Sequence, residues 1–166
     1  MNSSWITLNW LKKDYYNFNE LNRDDSKAEW RPSDVFKLIV CATMVENSRV
    51  LLVRHAGVKK PDYGDWLLPA GRVEPREELE EALKREMQEE TGLRVRIVGK
   101  LVEHIDPYTG DKLINFLCIP LTSRIETSPE LMEAKWFDLK EIQRLEDIHP
   151  GLKQFLIDGF EAGSFT

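Results

Sequence analysis

Cysteine is scarce in this 166-residue chain, and the two present, Cys41 and Cys118, each lie within an apolar run. Their spacing suggests no zinc site, so both are read as buried core thiols. The three histidines, His55, His104 and His149, stand far apart with no paired ligand spacing, although His55 and His104 fall at the ends of strand-like runs. Long apolar stretches are also missing. The longest, Val35 to Val45, is interrupted by Lys37 and too short to span a bilayer, and the N-terminus lacks a basic region leading into an apolar core. A cytoplasmic location without a membrane partner is the resulting expectation. No basic stripe is available to neutralise a phosphate backbone, which argues against long nucleic acid as a partner. No internal repeat or low-complexity tract interrupts the chain.

What is abundant is glutamate in one place. The chain carries a net charge of −6, and residues 71–93 hold eight Glu against four Arg or Lys, so most of the excess sits in that segment. With 42% hydrophobic residues the chain has the material for the core of one domain of ordinary size.

Within residues 71–93, Leu79, Ala82, Leu83, Glu86 and Glu90 follow the spacing i, i+3, i+4, i+7, i+11, so an inward-facing stripe that starts apolar ends in carboxylates. Glu89 flanks the same edge. On the outer face Glu80/Lys84 and Glu81/Arg85 have the i,i+4 spacing of helix-stabilising pairs. Acids crowded at this spacing repel one another by roughly 4 kcal/mol per pair at about 4 Å and an effective dielectric of about 20, so positive charge must compensate. Carboxylates are hard oxygen ligands suited to Mg²⁺ or Mn²⁺. Pro75 suits a first helical turn and Gly92 a left-handed terminus, which predicts a helix from about 76 to 90.

The order Gly71, Glu77, Arg85-Glu86-Met87, Glu89-Glu90 and Gly92-Leu93 resembles the complete signature of the Nudix hydrolases, with nine specified positions matched over 23 residues. The resemblance implies a loop, helix and loop that binds divalent metal and hydrolyses a nucleoside diphosphate linked to a further group. It implies that Glu86, Glu89 and Glu90 hold the metal, with the Gly71 carbonyl as a further ligand, and that Arg85 and Glu77 brace the loop against the helix. Ala70 and Arg76 occupy places where relatives often carry glycine. The fold it implies is an α/β/α sandwich with a mixed central sheet.

Strand-like runs at 35–45, 49–55, 94–104 and 112–121 fit that architecture, the first two joined by the tight turn Glu46-Asn47-Ser48. A second turn is signalled at residues 108–111. Trp66 to Gly71 reads as a short apolar strand broken by Pro and Gly. Ala134 to Phe137 predicts a short strand before a helix near 138–145, and Pro150 opens a closing helix to about 159. Residues 35–166 are read as the hydrolase domain. Residues 1–34, with six aromatics, are read as an extension that holds a short helix and packs on the domain, or else covers the substrate pocket or reaches a second subunit in a homodimer.

The expected activity is Mg²⁺-dependent cleavage of the pyrophosphate bond of a small nucleotide: a nucleoside triphosphate, an oxidised nucleotide or an ADP-ribose-type substrate. Catalysis is assigned to Glu89 and Glu90 with Glu133, placed in a loop ahead of Trp136-Phe137, as the extra base and Glu130 as its rival. Arg54, Arg72 and Lys59 are candidates for substrate phosphates. Trp66 and Tyr108 are candidates for stacking on a base. Pro107 and Tyr108 lie near positions that mark ADP-ribose and dinucleoside-polyphosphate relatives respectively, so they point apart. The alternatives are a non-catalytic nucleotide-binding regulatory module on the same fold, a diphosphate isomerase using a cysteine, and a nucleic-acid 5′-end hydrolase.

Overall fold

A computed structural model describes residues 37–56, 64–106 and 110–166. The expectations for residues 1–34, Lys59, Pro107 and Tyr108 lie outside them.

The β-branched run Leu38–Glu46 forms β1 and Arg49–His55 forms β2. Asn47 and Ser48 join them at φ 49° and 55°, the left-handed pair of a two-residue hairpin turn whose twist matches the strands, with Val45 facing Val50. Away from the turn β1 changes neighbours. It runs parallel to β5 (Lys112–Pro120) from Leu38 opposite Lys112 to Met44 opposite Cys118, and antiparallel to the short β3 (Ala70–Arg72). β4 (Val95–Ile105) pairs antiparallel with β5, and β6 (Leu131–Phe137) antiparallel with β2. The six-stranded sheet has the order β4-β5-β1-β2-β6 with β3 beside β1, and the β1/β5 pairing makes it mixed.

Side-chain alternation divides this sheet between two cores. Val40, Ala42, Met44, Leu51, Ile114 and Phe116 pack under α1 (Leu79–Thr91), which contributes Ala82, Leu83 and Met87. Val45, Val50, Leu52 and Phe137 face the other way, onto α2 (Leu139–Arg144) through Ile142 and α3 (Pro150–Glu161) through Leu152, Phe155 and Leu156. Each fully buried Leu, Met or Phe of these layers contributes about 1.5–3 kcal/mol. The result is the expected α/β/α sandwich. Asp138 and Glu141 close α2 with a capping box, while Pro150 occupies the first turn of α3, behind His149, whose Nδ1 accepts from the Gly151 N–H.

The expected helix start at 76 is corrected: α1 begins at Leu79. Arg76 has φ 67°, a left-handed residue that a right-handed helix excludes, and the Glu77 carboxylate accepts the Glu74 N–H within that turn. The end is as expected, with Gly92 at φ 71° and its N–H donating to the Gln88 carbonyl. β6 starts at Leu131, so Glu133 lies in a strand, opposite Arg54, and not in a loop.

Candidate active site

The four-residue spacing of Glu86 and Glu90 along α1 puts both on the face toward β3, while Glu89 stands outside. Side-chain exposure is 15% for Glu86 and 11% for Glu90, against 60% for Glu89. β3 carries Gly71 directly onto the helix, where a Cβ at Gly71 would fall inside the Glu86 carboxylate. A larger residue would have to push the Glu86 carboxylate off its Arg85 hydrogen bond, and glycine lets the backbone lie beside that acid.

Arg85 supplies the positive charge that the acid cluster requires. Its Nε donates to Glu77 Oε1 at 2.7 Å and its Nη2 to Glu77 Oε2 at 2.9 Å and to the Arg72 carbonyl at 2.9 Å. Nη1 donates to Glu86 Oε1 at 2.8 Å and to Glu89 Oε2 at 3.2 Å. All five N–H groups are thereby engaged, which corrects the expected Glu81/Arg85 pair: the guanidinium faces inward. The Arg85 hydrogen bonds, with one from the Glu74 N–H, hold the Glu77 carboxyl down at about 2.

Glu90 has no such partner. Its Oε2 is buried and accepts no hydrogen bond among the described residues, and His55 Nε2 lies 4.0 Å from its Oε1. Burial, joined by the charges of Glu86, Glu130 and Glu89, pushes its carboxyl up to about 7, against a hydrogen bond from the Ala70 N–H. Among the described residues no three acids, histidines or cysteines converge as a ready-made metal cage. Glu86 and Glu89 are turned to Arg85, and Glu90 alone keeps an unsatisfied buried oxygen. A hard cation next to Glu90 would satisfy that atom and remove the repulsion, so this donor set fits a divalent metal.

The loop that follows β5 is tied to the end of α1: Glu126 N–H donates to the Thr91 carbonyl at 2.8 Å and Ser128 N–H to the Glu90 carbonyl at 3.0 Å. This tie places Glu130 at the rim of a cleft of about 660 Å³ that also reaches His55 and Ala70. The cleft floor is the face of the sheet opposite α1, with Ile39, Cys41, Leu113 and Asn115, and Leu152 and Phe155 of α3 close it. Burial pushes the Cys41 and Cys118 thiols up to about 12, and burial lowers the His104 ring from its usual value.

The other candidates are dispersed. Glu133 is 48% exposed and faces Arg54 at 3.6 Å. Arg54 also approaches Asp65 at 3.5 Å and covers the Trp66 ring at 5.2 Å. Trp66 is 6% exposed, packs edge-on against Phe137 and lies under Arg54, so little of its ring is open to a base. Arg72 ends β3 with an exposed side chain. Asn115 was missed by sequence reasoning, although a lone amide inside the apolar run Leu113–Cys118 was a visible signal.

A NUDIX domain profile matches residues 35–158, and the chain belongs to that family. It is 32% identical over 127 residues to 8-oxo-dGDP phosphatase NUDT18 of Danio rerio, covering 70% of this chain and 38% of that protein. It is 28% identical over 137 residues to nucleoside triphosphatase NudI of an Enterobacter species, covering 70% of this chain and 97% of that one. The chain thus spans less than two fifths of the length of the NUDT18 relatives, including the human one at 32%. Among solved structures, a NUDIX hydrolase from Nitrosomonas europaea superposes with a TM-score of 0.62 at 26% identity, covering 74% of this chain and 71% of that one. No helix among the described residues is long and apolar enough to cross a membrane.

Proposed function

We propose that the chain is a cytoplasmic pyrophosphohydrolase that cleaves a phosphoric anhydride of a small nucleotide with the aid of Mg²⁺ or Mn²⁺. The observation that carries this reading is the buried, unsatisfied Oε2 of Glu90 beside Glu86, with the Gly71 backbone pressed against Glu86. Glu86, Glu89, Glu90 and the Gly71 carbonyl would hold the ion. When bound, a divalent cation supplies positive charge against the diphosphate oxygens and acidifies water. Arg85 keeps Glu86 and Glu89 oriented, with Glu77 fixing Arg85 in turn. Glu130 is assigned as the base that takes the proton from the attacking water, because it lines the cleft and acts electrostatically on Glu90. Glu133, tied to Arg54, is the weaker candidate. The cleft takes the nucleoside, its apolar walls excluding water from the anhydride. A cysteine-dependent isomerase is disfavoured because a thiol held near 12 supplies almost no thiolate at neutral pH. The names of two relatives, an 8-oxo-dGDP phosphatase and a nucleoside triphosphatase, support the substrate class.

The test is release of phosphate or pyrophosphate from a panel of nucleoside di- and triphosphates and ADP-ribose with Mg²⁺, then with excess chelator, for the native chain, Glu90→Gln and Glu130→Gln. Turnover should require the ion and vanish in Glu90→Gln. Nucleotide binding with no turnover on any substrate would favour the regulatory-module reading.

A further inference from the structure

Asn115 interrupts the apolar middle of β5 and is 4% exposed. Strand alternation sets its side chain on the same face as Leu113, and the parallel pairing with β1 puts it opposite Cys41; all three line the cleft. Its Oδ1 accepts two hydrogen bonds from Thr43, one from the backbone N–H at 3.1 Å and one from the hydroxyl at 3.0 Å. A backbone N–H can only donate, so the oxygen of the amide must face Thr43 and the –NH₂ must face the other way. Both amide N–H bonds are left for the cleft. The described residues that line it include Asp65, Asp106, Asp111 and Glu130 but no Lys or Arg, so the cleft walls disfavour the phosphates, which are left to the metal.

We infer that Asn115, locked by Thr43 as a donor, is a specificity residue that accepts nucleotides whose base presents a carbonyl oxygen to it and disfavours those presenting an amino group. Hypoxanthine, guanine, uracil and thymine carry such an oxygen; adenine and cytosine carry an amino group at the equivalent edge. An amino group there would set donor against donor and strand both away from water, a mismatch that sites built for hydrogen bonding reject strongly. The inference rests on the nucleotide reading of the cleft given above.

The experiment uses substrate pairs that differ at one group, ITP against ATP and UTP against CTP, with kcat and KM measured in Mg²⁺. Calorimetric binding of IMP and AMP in metal-free buffer gives a second readout independent of turnover. The oxo member of each pair should be favoured about tenfold or more, through KM and Kd and not kcat. Asn115→Asp keeps the shape and still accepts from Thr43 but offers the cleft only an acceptor, so the preference should reverse. Thr43→Val removes the hydroxyl bond but keeps the backbone N–H that orients the amide, so the preference should persist to within roughly threefold of the native value, and its loss would show that the amide is not held by that N–H. Equal values within both pairs for the native protein, with turnover intact, overturn the inference and leave the pyrophosphohydrolase reading standing. No turnover and no monophosphate binding overturns both. Should the Asn115→Asp chain melt below assay temperature, the native pairs and Thr43→Val decide.

Discussion

Arg85 grips both oxygens of Glu77, at 2.7 and 2.9 Å, and so welds the loop before α1 to the helix that carries the acids. The same guanidinium reaches Glu86 and Glu89, so loss of its planar fork should disturb the acids and the loop together. Arg85→Lys is expected to lower kcat/KM by about tenfold or more, since an ammonium cannot span five acceptors in one plane. An Arg85→Lys enzyme with native kinetics would show that the fork is dispensable.

Glu77, held at about 2 in the folded chain, stabilises the fold above its ordinary 4.5, and this contribution is lost as pH falls from 4.5 toward 2. Glu77→Gln should therefore flatten the acid limb of the stability curve over that interval. Denaturant midpoints measured between pH 5 and pH 2.5 for both chains check it; parallel curves would contradict the pairing.

Glu90 titrates in the opposite sense. A carboxyl raised from 4.5 to about 7 binds more protons folded than unfolded in that window, so in metal-free buffer its contribution weakens stability as pH rises from 4.5 through 7. The limit is about 3 kcal/mol, the free energy of such a shift. Mg²⁺ should raise the melting temperature more at pH 8 than at pH 5, and Glu90→Gln should remove that difference. Equal Mg²⁺ effects at the two pH values in the native chain would break the link between Glu90 and the ion.

Gly71→Ala places a methyl group where the Glu86 carboxylate lies. The expected cost is about 1–3 kcal/mol of stability with loss of activity. Truncating the neighbour in the double variant Gly71→Ala/Glu86→Ala should return most of the stability and none of the activity, a coupling that a double-mutant cycle reads directly. Strict additivity would mean that the two residues do not touch.

Arg76 holds φ 67° without the freedom of glycine. Arg76→Gly is expected to stabilise by up to about 1 kcal/mol, the relief of left-handed strain exceeding the greater entropy lost on folding. Thermal unfolding of the two chains tests it.

Much of this was legible because it is periodic. The β-branched runs of β1, β2, β4 and β5 fell within three residues of their observed bounds, and the helical register of Glu86 and Glu90 followed from the apolar stripe ahead of them. The misread features depend on contacts remote in sequence or on single backbone angles. Nothing in the residue type of Arg76 announces a left-handed turn. The inward choice of Arg85 over its i,i+4 partner is set by Glu77 and by the Arg72 carbonyl, which only the docking of β3 brings near. Glu133 was placed in a loop because β6 begins earlier than its aromatic end suggests, and its partner Arg54 comes from another strand. The Asn115 to Thr43 lock requires the parallel β1/β5 pairing, which no local pattern encodes.

The amides of Glu126 and Ser128 are spent on the last carbonyls of α1, at Thr91 and Glu90. The strap that bears Glu130 is thereby fastened at two points to the end of the acidic helix. These two protons should be protected from deuterium to a similar degree, more than is usual for a surface loop, because both are exposed only when the strap lifts from the helix end that carries Glu90.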